Sequence, residues 1–236
     1  MTSTVIFVVS FSLIMLLAVR LITGKVLMAT SQSAEKRYIC IAGKSGSGKE
    51  TIYKLIKAEL EKRVTTSIHH FSDPVNEDLA SWGIPQHRHN QQEWSRMVRT
   101  GSWVDEQDKP YPPEWSEGAF CRVISKRARE DKAEVVFLDG VRRPADLGMI
   151  RTLPGSVLLF VTADPRTRYE RLKKRADRPG DAEKTWEQFC KEQQANSEKD
   201  IDTVGQQAEF TIDNSGSMED LGVAVGEFIA EHFKSA

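Results

Sequence analysis

The chain has 236 residues, 39% of them hydrophobic and 28% charged, and its 33 lysines and arginines against 34 acids leave a formal net charge of −1. That balance excludes a global basic field, so no nucleic-acid partner is expected and any anion site has to be assembled locally. Three widely separated cysteines, Cys40, Cys121 and Cys190, exclude a disulfide framework and point to a reducing compartment, the cytoplasm.

The first stretch stands apart. Val5 to Val19 is apolar, Arg20 interrupts it, and Leu21-Ile22 resumes before Gly24-Lys25. The uninterrupted run is shorter than the ~20 residues of a full span. Arg20, Lys25, Lys36 and Arg37 follow it, so a membrane tether through residues 5–23 would leave the rest of the chain facing the cytosol. Met28-Ala29-Thr30 reads equally as a natural start, which would make the upstream residues a non-native extension, and a signal or transit peptide is the third reading. Residues 1–27 are thus one segment, 28–36 a linker, and 37–236 a single domain of sufficient length for a full core.

That domain opens on a short apolar strand, Tyr38 to Ala42, followed by Gly43-Lys44-Ser45-Gly46-Ser47-Gly48-Lys49 and a helical pattern through Ile52, Leu55, Ile56 and Leu60. Strand, glycine loop and helix in this order form a phosphate cradle. Backbone N–H groups of the loop and the helix N-terminus point at the anion, and Lys49 reaches the phosphates. After Gly-Lys the motif wants Ser or Thr for Mg²⁺, and here Glu50 comes first with Thr51 behind it. A carboxylate is a good Mg²⁺ ligand, so either residue serves. The nucleotide-binding candidates are therefore Gly43 to Thr51 together.

Ser67 to Phe71 reads as the next strand, ending at Ser72-Asp73-Pro74 and a helix from Val75 to Trp82. Asp73 stands where open α/β sheets place ligands, and also where a helix N-cap would stand. Residues 86–117 are polar and aromatic, with Arg96, Arg99, Trp94, Trp103 and Trp115, and read as an inserted substrate-binding region with a helix over 90–99. His87 and His89 have no third ligand nearby, which argues against a metal there.

A helix over 117–129 feeds the apolar strand Ala133 to Leu138, which ends in Asp139-Gly140-Val141-Arg142-Arg143-Pro144. An acid at the end of a buried strand, opposite a phosphate loop, is placed to hold Mg²⁺. Beyond the strand at 156–161, Asp164-Pro165 starts a helix, and seven basic residues fall between Arg166 and Arg178. Residues 166–181 have the charge a closing lid needs. A helix over 185–199, a strand over 210–214 and a helix over 218–233 complete the alternation. Alternating elements predict a three-layer α/β fold with a mostly parallel sheet and right-handed crossovers.

Over residues 37 to 234 the chain resembles the P-loop nucleoside and nucleotide kinases, and within them the branch of deoxynucleoside monophosphate kinases and phosphomevalonate kinases. The resemblance rests on Ser47-Gly48-Lys49-Glu50-Thr51, Phe71-Ser72-Asp73-Pro74-Val75, Ala119-Phe120-Cys121-Arg122 and Asp139-Gly140-Val141-Arg142-Arg143. The last run and Asp164 to Leu172 are also similar to dephospho-CoA-kinase-like and archaeal adenylate-kinase-like proteins. The resemblance implies ATP- and Mg²⁺-dependent transfer of the γ-phosphoryl group to a phosphorylated small-molecule acceptor, most simply a (deoxy)nucleoside monophosphate. It implies that Lys49 bridges the phosphates, that Glu50 or Thr51 with Asp139 organises Mg²⁺, and that Arg142 or Arg143 clamps the acceptor. Arg171 and Arg175 would cover the transfer and Asn214 would flank adenine; from their own placement in the sequence, Asp73, Arg96 and Arg99 would line the acceptor site. A phosphate acceptor is nucleophilic at neutral pH, so no strong general base and no His–acid pair are expected. Two other classes remain: a nucleotide-binding regulator without an acceptor site, and a membrane-tethered protein with a decayed kinase fold.

Overall fold

The computed structural model describes residues 36–176, 181–193 and 200–233. The N-terminal apolar segment, with its tether and extension readings, lies outside the described residues, as do Arg178 of the expected lid and residues 194–199 of the expected helix. Among the described residues no helix is long and apolar enough to cross a membrane.

Five strands form one sheet: β1 (Arg37–Ala42), β2 (Thr66–His70), β3 (Val135–Val141), β4 (Ser156–Thr162) and β5 (Phe210–Asp213), in the order β2-β3-β1-β4-β5. Every pair in it is parallel. Parallel strands need helical crossovers, and the helices bury both faces of the sheet. Alternate residues of β1 therefore enter different cores. Tyr38, Cys40 and Ala42 pack with α5 (Ala119–Glu130) and α6 (Pro144–Ile150) through Cys121, Ile124, Leu147 and Ile150. Ile39 and Ile41 pack with α1 (Lys49–Leu60) and α10 (Met218–His232) through Ile52, Ile56, Leu221 and Phe228. The result is the expected three-layer arrangement.

The chain moves from β1 outward to β2 by one side and to β4 and β5 by the other, so the strand order reverses beside β1. Open α/β sheets bind ligands in the crevice at that reversal, outside the carboxyl ends of the strands. The phosphate loop, the end of β2 and the end of β3 all meet there.

The expected insertion is helical. Between β2 and α5 lie α2 (Asp73–Ser81), α3 (Arg88–Thr100) and α4 (Pro113–Glu117). Helix α2 starts two residues earlier than its pattern suggests, with Ser72 before it and Pro74 in its first turn, where the missing N–H costs nothing. Val75, Leu79 and Phe120 form a small separate core on which Trp94 and Val98 pack. Trp94 also donates to Asp78 at 2.9 Å. One of the three tryptophans of the expected substrate-binding region thus holds the insertion together.

On the far side of the sheet, α7 (Pro165–Arg175) is followed by α8 (Trp186–Glu192) and α9 (Ile201–Gly205). Asp164 caps α7 by accepting from Arg166 N and Thr167 N. Tyr169, Leu172, Phe189 and Trp186 give the region of the expected lid a core of its own.

Candidate active site

The phosphate loop is held from outside as well as by its own turns. Gly48 has φ 93° and Gly46 has φ 81°, backbone states that L side chains rarely adopt. Space forbids a side chain there too: a Cβ on Gly46 would stand 2.7 Å from Arg168 O, and one on Gly48 would collide with the Asn214 amide. The neighbours that crowd the glycines also fix the loop. Asn214 Nδ2 donates to Ser47 O at 2.8 Å, and the Arg168 guanidinium donates to Ser45 O at 3.4 Å, Ala163 O at 3.2 Å and Gln193 Oε1 at 2.6 Å. Both side chains are buried. Asn214, implied by resemblance to flank adenine, uses its amide group on the loop. Arg168 braces the loop, a task that the sequence reading, which singled out Arg171 and Arg175, did not give it.

Lys49 opens α1 and folds back over the loop, its Nζ donating to Gly43 O at 2.8 Å and Lys44 O at 3.4 Å. With Glu50, Tyr53, Lys54, Ile68, His70 and Asp139 it lines a cavity of ≈ 350 Å³ at the ends of β2 and β3. Glu50 turns outward to Lys54 at 2.7 Å, and that hydrogen bond lowers its carboxyl below the ordinary value. Arg175 also acts on Glu50, which places the end of α7 within electrostatic reach of the start of α1. Thr51 is exposed. Lys44, inside the loop, pairs with Asp202 of α9 at 2.6 Å.

Strand register produces the central pair. His70 of β2 and Asp139 of β3 are Cα partners in the parallel ladder, so their side chains leave the sheet on the same side. His70 Nδ1 lies 3.1 Å from Asp139 Oδ2. This corrects the expectation that the site lacks a His–acid pair. Strand β3 carries a register shift just beyond, where Gly140 takes φ 96°, and the chain then turns into Arg142 and Arg143. The hydrogen bond His70 donates to Asp139 raises the imidazole above its ordinary value against the opposing effect of burial. Burial alone would raise the Asp139 carboxyl, but the His70 hydrogen bond and the charges of Lys49, His70 and Arg142 hold it below the ordinary range.

Besides Ser47 Oγ in the loop itself, two buried polar atoms at this site lack a hydrogen bond among the described residues. One is Asp139 Oδ1 and the other is a terminal nitrogen of the Arg171 guanidinium, which lies 3.8 Å from where a Cβ on Gly48 would stand. Arg168, Arg171 and Arg175 recur at helical spacing, so α7 presents one cationic face to the loop. An unpartnered buried carboxylate oxygen fits a cation and an unpartnered buried guanidinium nitrogen fits an anion. The residues present therefore suit Mg²⁺ and phosphate side by side.

The acceptor candidates are distributed differently. Asp73 Oδ2 accepts from His70 N at 2.6 Å, which ties the start of α2 to the end of β2. Arg96 lies on the outer side of α3, its guanidinium 2.9 Å from Glu93. Arg99 is nearly buried: it donates to Glu117 O at 3.0 Å, stacks over Phe120 with 4.9 Å to the ring centroid, and approaches Asp146 Oδ1 to 4.0 Å. The structure thus gathers Lys49, Glu50, Asp139, Arg142, Arg171 and Arg175 around the loop and leaves Arg96 outside that group.

Sequence comparison finds curated relatives named UPF0200 protein. That of Hyperthermus butylicus is 28% identical over 190 residues, covering 80% of this chain and 90% of its own length. That of Thermococcus kodakarensis is 27% identical over 198 residues, covering 82% and 96%. Among solved structures, TT1252 from Thermus thermophilus has a TM-score of 0.53 at 18% identity, covering 84% of this chain and 98% of its own. Shikimate kinase from Bacteroides thetaiotaomicron has a TM-score of 0.53 at 13% identity, covering 83% and 97%. At such identities these likenesses speak for the fold alone, a kinase-like P-loop fold. The family profile described as AAA domain (AAA_18) matches residues 39–200, from the first strand and the phosphate loop onward, and the chain belongs to that family.

Proposed function

We propose that the protein is an ATP- and Mg²⁺-dependent phosphotransferase that moves the γ-phosphoryl group to a phosphorylated small-molecule acceptor, a (deoxy)nucleoside monophosphate. The observation that carries this reading is a pair of buried atoms of opposite charge with no partner among the described residues: Asp139 Oδ1, of a residue that lines the cavity with Lys49, and the Arg171 guanidinium nitrogen beside Gly48 of the phosphate loop. A regulator that only binds nucleotide has no need of charge directed at a moving phosphoryl group.

Lys49 would release the carbonyls of Gly43 and Lys44 and take the β- and γ-phosphates, as its position after Gly48 suits it to do. Asp139, with Glu50 or Thr51, would hold Mg²⁺. When bound, that ion would supply positive charge that neutralises the phosphates. Arg142 and Arg143 would grip the acceptor phosphate, and Arg171 and Arg175 would stabilise charge on the transferred group. Lid residues closing over the loop would exclude water, which suppresses hydrolysis and strengthens every charge interaction inside.

The His70–Asp139 pair favours a second reading in which the acceptor offers a hydroxyl, as dephospho-CoA does, because only a hydroxyl has a proton to be removed. One assay separates the readings. ADP release is followed by a coupled reaction with a panel of nucleoside monophosphates, phosphomevalonate and dephospho-CoA, and with no acceptor. Turnover with a monophosphate well above the acceptor-free rate supports the first reading, and turnover with dephospho-CoA alone supports the second. A rate that no acceptor raises removes both.

A further inference from the structure

Arg142 and Arg143 owe their placement to a carboxylate that no feature of the motif announces. Asp146, in the first turn of α6, is buried. Its Oδ2 accepts from both Arg142 N and Arg143 N at 3.1 Å, so it pins the backbone of the turn that carries the two guanidinium groups. Its Oδ1 receives the Cys121 S–H at 2.8 Å and has the Arg99 guanidinium at 4.0 Å. Burial, and then Asp146 itself, push the Cys121 thiol well above its ordinary value, so it stays protonated and remains a donor. Three hydrogen-bond donors and one guanidinium charge converge on two oxygens.

That arrangement selects a carboxylate. Two of these groups face each oxygen, and an amide in the same place would turn its NH₂ toward either the backbone N–H groups or the thiol and guanidinium. A buried carboxylate also needs a counter-charge, and Arg99 supplies one from α3 in the insertion. Arg99 in turn is anchored to Glu117 O at 3.0 Å. The turn after β3 and the insertion are therefore joined through one side chain.

We propose that Asp146 is a positioning residue for the anion clamp: it holds the Arg142–Arg143 turn in register for an acceptor phosphate and, through Arg99, ties that register to the insertion. Resting on the proposed phosphotransfer, this assigns the acceptor-phosphate end of the site to the turn and gives Arg99 a supporting task behind it. Charge and geometry make opposite demands here. Loss of a negative charge near two arginines would by itself strengthen anion binding, whereas loss of the pinned turn weakens it.

The test titrates the full chain by calorimetry with the non-hydrolysable analogue AMPPNP plus Mg²⁺, and separately with inorganic phosphate, with and without AMPPNP present. Asp146→Asn is expected to weaken inorganic phosphate at least tenfold while changing AMPPNP affinity less than twofold, with the fold checked by circular dichroism. Should Asp146→Asn fail to fold, Asp146→Glu retains the charge but displaces the oxygens by one methylene, and a threefold or larger loss of phosphate affinity is expected. Wild-type or tighter phosphate binding by a folded variant overturns the inference, as does a wild-type chain that binds no phosphate. Failure of AMPPNP to bind the wild type is a separate result that counts against the phosphotransferase reading, and the phosphate titration without AMPPNP then decides the role of Asp146.

Discussion

Asn214 Nδ2 donates to Ser47 O at 2.8 Å, joining the end of β5 to the phosphate loop across 167 residues of sequence. The bond lies in the interior, next to a glycine whose missing Cβ makes room for the amide. Asn214→Ala would leave the Ser47 carbonyl unpartnered, a loss of about 1–3 kcal/mol when the group stays buried. Thermal or urea unfolding is expected to show a loss in that range. AMPPNP affinity should fall with it, because the loop is no longer held in its anion-binding shape. Unchanged stability and affinity would mean that the loop keeps its conformation without Asn214.

Lys49→Ala is expected to reduce kcat by at least 100-fold with little effect on the unfolding midpoint. The hydrogen bonds it makes to Gly43 O and Lys44 O are ones that a nucleotide complex would release. Turnover close to that of the wild type would remove the phosphate-loop reading of the site.

Arg171→Ala separates the lid arginines from a merely solvated helix face. A buried guanidinium nitrogen without a partner is a cost to the free protein. Replacement is therefore expected to leave stability unchanged or slightly raised while kcat falls 10- to 1,000-fold. A variant that loses stability but keeps kcat would make Arg171 structural.

His70 and Asp139 give the free protein a pH signature. The His70 imidazole has a raised value in the folded state, so its contribution is fully present below the ordinary 6.5 and is lost as pH rises through the raised value. The Asp139 carboxyl is depressed, so its contribution is present above the ordinary 3.8 and is lost as pH falls through the lowered value. Between those limits the pair is charged on both sides. Measured in EDTA without nucleotide, the stability advantage of wild type over His70→Asn should shrink as pH rises from just below 6.5 toward 8. An advantage independent of pH across that interval would show that His70 contributes no differential protonation.

Legibility in the sequence followed the range of the interactions. The strand, loop and α1 could be read directly because every residue that makes the cradle lies within a few positions of the next. Arg171 and Arg175 were singled out by the family resemblance, and the helical repeat puts them on one face with Arg168. The His70–Asp139 contact could not, since it depends on the register of two strands 69 residues apart. Arg99 looked like a substrate cation in a polar segment, and only the packing of α3 against Phe120 and Asp146 shows that it faces inward. Arg168 was indistinguishable from six other basic residues until its contacts with Ser45 and Gln193 set it apart. The short helices α4 and α9, five residues each, carry too little periodicity to stand out from their loops.

Glu50 occupies the position where the phosphate-loop motif carries a Mg²⁺-binding hydroxyl, and the free protein commits it to little else. Its pair with Lys54 is an exposed i,i+4 contact with side chains 70% and 67% accessible, of the kind that contributes about 0.3–0.5 kcal/mol. Glu50→Gln is therefore expected to change stability by less than about 0.5 kcal/mol. Its effect should fall on the metal: Glu50 lines the same cavity as Asp139, and the two carboxylates repel each other enough for Asp139 to oppose the lowering of the Glu50 carboxyl. A divalent cation between them would relieve that repulsion. In the glutamine variant the Mg²⁺ concentration for half-maximal ATP turnover should rise five- to fiftyfold, with Thr51→Val changing it less than twofold. The reverse pattern, an indifferent Glu50→Gln and a Mg²⁺-hungry Thr51→Val, would assign the metal to the hydroxyl one residue further along α1.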